Sequence, residues 1–301
     1  MRKAYLQLHL AILLWGFTAI LGKLILLDEG LLVWYRMGIS SISTLLFVLI
    51  SKSSLRITKQ DIIRLAGISF LITLHWITFY GAIKASNVSI AISCFSSVAL
   101  FTALINPLIN KVKINKIEII LGLGVIAGIG IIFTIHQLYW KGILLAIISA
   151  FLAALFTVFN KNISEKIAPA TITFYELFFG FLLLTIALPL WFGINNSSYA
   201  LPTEKDWIYL IILAVVCTTV PFTLSMHAIK KLDAFTMNLS LNLEPVYSII
   251  LAIILFHENE TVGYSFYIGT GIILLTVMWH AYTKSVAAID KKLEKEKYNY
   301  E

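Results

Sequence analysis

Two ionisable residues that could do chemistry lie deep inside long apolar stretches. Glu244 lies about ten residues into one apolar segment, and His75 lies near the middle of another. A carboxyl group at such depth is costly unless it is protonated, paired or in contact with water, so Glu244 predicts a proton site, a gate or a solute-binding group. Pro245 follows directly and lacks a backbone donor, which predicts a kink. The alternative is that Glu244 only caps backbone groups freed by that kink.

Aromatic residues accompany His75. Trp76 and Tyr80 are spaced i, i+4 and share a helix face, with His75 about a quarter-turn away. This pattern is typical of a group that binds an organic solute or relays a proton, although an interhelical hydrogen bond would also explain the histidine. The other histidines fall near segment ends, and no two histidines are spaced i, i+4, so we expect no metal site.

Small polar residues form stripes at helical spacing, and such stripes either line a cavity or let helices pack closely. The candidates for substrate binding or translocation are Ser89, Ser93, Ser96, Ser97, Thr219, Thr223, Asn238 and Asn242. Asn238 and Asn242 share one face of their segment, and Glu244 lies on nearly the opposite face, so only one of these faces can line a given cavity. Pro221 and Pro245 are the candidate kinks or gates.

The elements that carry these residues are membrane spans. With 59% hydrophobic and 13% charged residues and a mean hydropathy of +0.89, the chain has too little polar surface for a soluble domain and too much apolar content for disorder. We predict an all-α integral membrane protein with ten transmembrane helices, at about Leu6–Leu27, Leu32–Ile50, Leu65–Ile83, Val88–Ile109, Ile117–Ile135, Gly142–Phe159, Ala170–Phe192, Trp207–Ala228, Ala234–Phe256 and Val262–Tyr282.

The net charge of +7 is an orientation signal and does not indicate nucleic-acid binding. If the N-terminus is cytoplasmic, 18 of the 23 Lys and Arg residues fall in inside segments and three in outside loops. We therefore predict a plasma (inner) membrane protein with both termini cytoplasmic. Lys23 and Arg36 lie within spans, near their outer ends, and are expected to anchor there by snorkelling. Cys94 and Cys217 are expected to be small core residues.

The two halves of the chain resemble each other. Residues 82–84 recur as 228–230, and residues 100–102 face 246–248, both at an offset of 146, while residues 34–36 lie opposite 174–176 at an offset of 140. Five spans per half is an odd number, so the second half must enter the membrane inverted. We expect a first repeat over residues 1–138, an inverted second repeat over 139–284 and a charged cytoplasmic tail over 285–301.

These residues resemble the drug/metabolite transporter superfamily, and within it the EamA-type ten-helix transporters. The resemblance is carried by Leu14-Trp15-Gly16 running to Lys23, by Tyr35-Arg36, by residues 80–84, by Glu244-Pro245-Val246 and by Glu258. The first half departs from the pattern, because Ala99 stands at the position equivalent to Pro245. The resemblance implies a carrier of small metabolites, often an exporter of amino acids or related compounds.

The leading interpretation is a secondary transporter that works by alternating access, with a small-molecule substrate, the lipid bilayer as its surroundings and no cofactor. The sequence contains no Walker A motif, which leaves ion or substrate gradients as the energy source. The alternatives are an intramembrane enzyme that acts on a lipid or isoprenoid through Glu244 and His75, and a structural membrane protein. A homodimer is left open.

Overall fold

The computed structural model describes residues 2–114, 116–135, 139–195, 198–241, 243–258 and 263–298, and all regular structure in these ranges is helical. In the first half the helices are α1 (Arg2–Trp15), α2 (Thr18–Leu24), α3 (Glu29–Ile50), α4 (Lys59–Ala85), α5 (Val88–Phe95), α6 (Val98–Asn110) and α7 (Lys116–Ile135). In the second half they are α8 (Trp140–Ile163), α9 (Pro169–Asn195), α10 (Glu204–Ile211), a π-helical segment (Ile212–Thr219), α11 (Val220–Ile229), α12 (Ala234–Leu241), α13 (Glu244–Phe256) and α14 (Tyr264–Tyr298).

A helical segment lies at each of the ten predicted spans, which confirms the all-α membrane fold. Within the described residues, seven segments are long and apolar enough to cross a membrane by themselves, and two shorter apolar helices, Val246–Phe256 and Tyr264–Thr276, lie in the last two predicted spans. Side-chain caps mark where several helices begin: Asp28, Thr58, Asn87 and Thr203 each accept a hydrogen bond from a backbone N–H of the first turn. The last helix extends to Tyr298, well past the predicted end of the span at Tyr282.

Three spans are interrupted by a narrow turn instead of running straight. The N–H groups of Phe17, Ser97 and Leu243 each bond to the carbonyl three residues earlier, at 3.0–3.3 Å. Such i→i+3 bonds tighten a helix locally and end its regular ladder. The turns separate α1 from α2, α5 from α6 and α12 from α13.

Two of these interrupted spans have the same register in both halves. Helices α5 and α12 are eight residues long, α6 and α13 are 13 residues long, and each pair is offset by 146 residues. Both longer helices end at a residue in the left-handed conformation, Lys111 at φ 52° and His257 at φ 52°. The backbone therefore repeats where the side chains differ, as they do at Ala99 and Pro245.

The packing of the helices follows the same two-fold relation. Helix α4 packs along α8 as α11 packs along α1, and α3 pairs with α9 as α7 pairs with α14. If each helix is replaced by its counterpart in the other half, the α4–α8 contact becomes the α11–α1 contact, and the α3–α9 and α7–α14 contacts are unchanged. With five spans in each half, this symmetry is that of two inverted repeats.

Polar contacts join the segments at each end of the bundle. At the end that we call the inner end, three side chains bond to backbone carbonyls of neighbouring segments: Lys161 to Ile229 at 2.9 Å, Thr171 to Ser54 at 2.8 Å and Tyr175 to Leu55 at 2.9 Å. At the opposite, outer end the contacts are the Leu26 N–H to Asp206 at 2.9 Å, Lys84 to the Leu27 carbonyl and Lys23 to Glu258 at 2.7 Å.

Candidate functional site

A small cavity of about 60 Å³ lies between the two halves. Its aromatic lining is Trp15, Trp76, Phe79, Phe95, Phe156 and Phe222, and its polar lining is Thr18, Arg36, His75 and Glu244. All three narrow turns border this central cavity, because Trp15, Phe95 and Leu241 are the residues that immediately precede them and line its wall. The turns thus bring polar and aromatic side chains from both halves to one place.

Arg36 is the best-positioned cation in the cavity wall. It is 2% exposed, its Nε donates to Thr218 Oγ1 at 2.8 Å, and its Nη1 donates to Tyr80 Oη at 2.5 Å. Its Cζ lies 3.7 Å from the centre of the Trp76 ring, a cation–π geometry. A guanidinium has five N–H donors, so these two bonds fix its plane and leave donors for a ligand.

The expectation that Arg36 snorkels to the outer interface is wrong. Arg36 is the eighth residue of the 22-residue helix α3, about 10 Å from its start, and its side chain stays in the interior because it bonds to Tyr80 and Thr218. One signal in the sequence pointed to it, namely that Arg36 and Glu176 are charged residues at equivalent positions of the two halves. Nothing in the sequence identified Thr218 as its partner.

Glu244 lines the same cavity and is 5% exposed. It is the first residue of α13, and the dipole of a helix favours a negative charge at its start. In the part of the chain that is described, it forms no ion pair within 4 Å, although Arg36 lies in the same wall. The cavity therefore has a cationic group and a carboxyl group that do not neutralise each other by direct contact.

His75 lines the cavity and is hydrogen-bonded to a neighbouring helix, so the hydrogen-bonding interpretation is observed and a role in solute binding or proton relay stays a prediction. Its Nδ1 lies 2.8 Å from Ser149 Oγ and 3.1 Å from the Ser149 carbonyl oxygen. Its ring stacks on Phe95, with 5.4 Å between centroids. These contacts hold the imidazole in one orientation at the wall.

Of the two predicted aromatic partners of His75, Trp76 lines the cavity, whereas Tyr80 lies outside its lining and contacts Arg36. Tyr80 is fully buried, and its phenolic oxygen holds Arg36. The ring fits because residue 22 is glycine: a Cβ added at Gly22 would lie 2.2 Å from Cε1 of Tyr80.

The serine stripe on the fourth span is buried but does not appear in the lining of the central cavity. Ser93 bonds to Thr270 of α14 at 3.0 Å, while Ser96 and Ser97 bond to backbone carbonyls of their own helix. The backbone N–H of Ser89 donates to Glu258 at 2.9 Å. The contacts of Ser93 and Ser89 join separate segments, those of Ser96 and Ser97 are local, and a role of the serines in translocation stays a prediction.

The stripe formed by Thr219 and Thr223 is also buried and hydrogen-bonded. Thr219 lies 2.6 Å from Ser43 Oγ and joins the π-helical segment to α3, while Thr223 donates to the Thr219 carbonyl at 2.8 Å. Pro221 lies in the first turn of α11, directly after the π-helical segment. The regular helix is thus already altered before this proline is reached.

Asn238 lines a second cavity of about 50 Å³ next to the central one. Its amide donates to Thr102 at 2.7 Å and accepts from Thr157 at 3.2 Å, which ties α12 to α6 and α8. Asn242 lies outside the described residues. Pro245 lies in the first turn of α13, but the matching turn before α6 forms without a proline, so the proline is not what interrupts the helix.

The outer end is closed by a cluster that we call the outer latch, formed by Lys23, Glu258 and the start of α5. Glu258 is 2% exposed, bonds to Lys23 at 2.7 Å and accepts the N–H groups of Val88 and Ser89 at 3.2 and 2.9 Å. Burial opposes its charge, but the hydrogen bonds from Lys23 and Ser89 outweigh burial and hold the pKa of this carboxyl below its usual range. The latch joins the two halves above the cavity.

Comparisons with known proteins agree with the architecture. The family model described as EamA-like transporter family matches residues 2–134 and again residues 140–282. A solved crystal structure superposes with a TM-score of 0.67 at 18% identity, over 92% of this chain and 96% of the other, which shows a shared fold.

Curated relatives include two from Bacillus subtilis (strain 168). The uncharacterized transporter YetK is 26% identical over 85% of this chain and 80% of its own length. The uncharacterized transporter YxxF is 23% identical over 64% of this chain, and the match spans 62% of that relative's length. An uncharacterized transporter of Archaeoglobus fulgidus is 27% identical over 73% of this chain and 75% of its own length.

Proposed function

Since this multi-pass membrane protein belongs to the EamA-like transporter family, we propose that it is a secondary transporter of a small zwitterionic metabolite such as an amino acid. The observation that carries the proposal is that Arg36 and Glu244 both lie in the wall of one aromatic-lined cavity without direct contact. A guanidinium recognises a carboxylate, and a carboxylate recognises an ammonium group. The aromatic lining suits the apolar part of such a solute.

Alternating access fits the symmetry of the fold. The cavity lies where the two inverted halves meet, and contacts between segments close both ends. Two similar halves can exchange conformations, and the exchange opens a shared site first to one side and then to the other. The energy source in this proposal is a gradient of an ion or of the solute itself.

We further propose that the protein lies in the plasma membrane with its inner end facing the cytoplasm. The excess of Lys and Arg in the segments of that end supports it through the positive-inside rule. Export is the proposed direction, in keeping with the family resemblance. Labelling of single cysteines introduced at each end of intact cells tests the orientation.

Ligand binding by the purified chain tests the substrate class. Thermal stabilisation is measured with a panel of amino acids, with the matching amines that lack the carboxylate and with the matching acids that lack the amine. We expect stabilisation by zwitterions and weak or no stabilisation by either half-molecule. Glu244→Gln should weaken zwitterion binding at least tenfold, while Glu165→Gln, on an exposed inner loop, serves as the matched control.

Equal stabilisation by zwitterion and amine, or unchanged binding in Glu244→Gln, would overturn the proposed recognition. Proteoliposomes loaded with the best ligand then test transport itself. Release that is no faster than from protein-free vesicles, under every pH and ion gradient tried, would contradict a transport function.

A further inference from the structure

Glu176 on α9 and Asn160 on α8 have no role in the site described above, yet both are fully buried. Both carboxyl oxygens of Glu176 and both polar atoms of the Asn160 amide have no hydrogen-bond partner among the described residues. Buried polar groups are nearly always paired, and an unpaired buried charge is far more costly than an unpaired neutral group. These four atoms therefore need an explanation.

The two side chains are neighbours: the Asn160 amide is close enough to affect the charge of the Glu176 carboxyl, although no bond within hydrogen-bond distance and angle joins them. A carboxylic acid and a primary amide are complementary, because the acid O–H can donate to the amide oxygen while the amide N–H donates to the acid carbonyl. One added proton would thus allow all four unpaired atoms to be satisfied together.

A proton suits this position better than a metal cation. Glu176 and Asn160 offer three oxygen atoms, fewer than a hard cation takes, and the nearby Ser69 hydroxyl already donates to the Glu176 carbonyl. The Glu176 carboxyl is fully buried. No described salt bridge supplies it with a counter-charge.

The charged and titratable groups of the surrounding helices are engaged elsewhere or lie at the ends of the bundle. Helix α9 packs against α3, α4 and α11, and α8 carries Asn160. Their ionisable side chains are Glu29, Tyr35, Arg36, Lys59, Asp61, Arg64, His75, Tyr80, Lys84, Lys141, Lys161 and His227. The three of these nearest to mid-helix are held by their own partners: Arg36 by Tyr80, His75 by Ser149, and His227 by the Thr223 carbonyl at 2.7 Å.

The pair also borders the solute route. Asn160 lines the second cavity, which shares Trp15, Phe156, Phe222 and Leu241 with the wall of the central cavity. Glu176 is the repeat equivalent of Arg36, so inversion places these two groups on opposite sides of the central cavity. Arg36 lies toward the outer end, and Glu176 lies toward the inner end.

We propose that Glu176 and Asn160 form a proton-binding site between the central cavity and the inner end, and that its proton is coupled to movement of the solute. The coupling rests on the proposed transport function, whereas proton binding does not. With the inner end closed, the acid–amide pair is dry and holds the proton. When the inner end opens, water reaches Glu176, the carboxylate becomes hydrated and the proton leaves to water.

Infrared spectroscopy of the purified chain in lipid vesicles tests proton binding without a substrate. Difference spectra between neutral and alkaline pH are recorded for the wild type, for Glu176→Gln and for Glu165→Gln as the exposed control. We expect a protonated-carboxyl band that disappears at alkaline pH in the wild type and the control, and that loses the intensity of one carboxyl group in Glu176→Gln. A band unchanged by Glu176→Gln would overturn the proton site.

Two further measurements complete the test. If sodium, compared with choline at the same pH, removes the Glu176 band, then the site binds sodium and the proposal is wrong. The affinity for a zwitterionic ligand is then measured against pH. We expect it to vary with pH in the wild type and to change at least threefold less over the same range in Glu176→Gln, whereas identical pH profiles would overturn the coupling.

These outcomes separate the two proposals. If Glu176→Gln loses the carboxyl band but the wild type binds no zwitterion, the proton site is supported and the proposed substrate class is wrong. Zwitterion binding with no Glu176 band would do the reverse. Asn160→Leu adds a positive check, because the acid should keep its proton but shift to the frequency of a carboxyl group without hydrogen bonds.

Discussion

Replacing Tyr80 by phenylalanine removes one oxygen atom from behind Arg36 and leaves the aromatic ring in place. That oxygen accepts the Arg36 Nη1 proton at 2.5 Å, and both side chains are buried. A hydrogen bond to a charged group contributes about 1.5–3 kcal/mol, and its loss leaves a guanidinium donor without a partner. The bond to Thr218, the stacking on Trp76 and the more distant ring of residue 80, 5.6 Å from Cζ in the wild type, then hold the guanidinium.

The freed guanidinium should turn toward Glu244, the carboxyl group in the same cavity wall. A zwitterionic solute would then have to break this new ion pair before it could bind. Taking the low end of the hydrogen-bond range, about 1.5 kcal/mol, we expect the affinity to fall at least tenfold in Tyr80→Phe. Titration calorimetry with the best zwitterion measures it.

Tyr175→Phe is the matched control, because it removes a phenolic hydrogen bond of 2.9 Å to the Leu55 carbonyl at the inner end and leaves its ring in place. We expect it to lower the stability of the fold by about 0.5–1.5 kcal/mol and to leave ligand affinity unchanged. The reasoning is refuted if Tyr80→Phe binds as tightly as the wild type, or if Tyr175→Phe loses as much affinity.

Three other changes test the rest of the site. Gly22→Ala puts a Cβ 2.2 Å from the Tyr80 ring, so ligand affinity should fall as in Tyr80→Phe; normal affinity would contradict this. Glu258→Gln should open the outer latch, so that a single cysteine introduced at the outer end is labelled faster. Because the pKa of Glu258 is lowered, the latch is intact above the ordinary glutamate pKa of about 4.3 and weakens as pH falls through the lowered pKa, so wild-type accessibility should rise there and that of Glu258→Gln should not. Glu244→Gln should slow transport more than Lys23→Gln, since Glu244 lines the cavity and Lys23 belongs to the latch; equal rates would count against the cavity.

The spans and the repeat could be predicted from the sequence because each depends on local composition. Apolar runs mark the helices, and the 146-residue offset seen in residues 82–84 and 228–230 recurs in the bounds of α5, α6, α12 and α13. The cavity depends instead on contacts between distant segments. The partners of Arg36 are 44 and 182 residues away in the chain, and no spacing within one helix announces them.

Depth along a helix also misled the interpretation of Arg36, because a long side chain near an outer end has two options. It can reach the interface, or it can turn inward when hydroxyl groups and an aromatic face are there to receive it. Tyr80 and Thr218 supply these groups, so Arg36 turns inward. Lys23 pairs with the buried Glu258 at the outer end and itself stays partly exposed.

The repeat explains how one cavity can have unlike ends. The backbone breaks before α6 and α13 at equivalent positions, but Val98 stands in the first half where Glu244 stands in the second. Likewise Arg36 and Glu176 occupy equivalent positions with opposite charges. In the proposed mechanism, the symmetry of the backbone permits the exchange between two conformations. The unlike side chains at equivalent positions place the proposed proton site at one end only, so that one end of the route differs from the other, while the gradients set the direction of net transport.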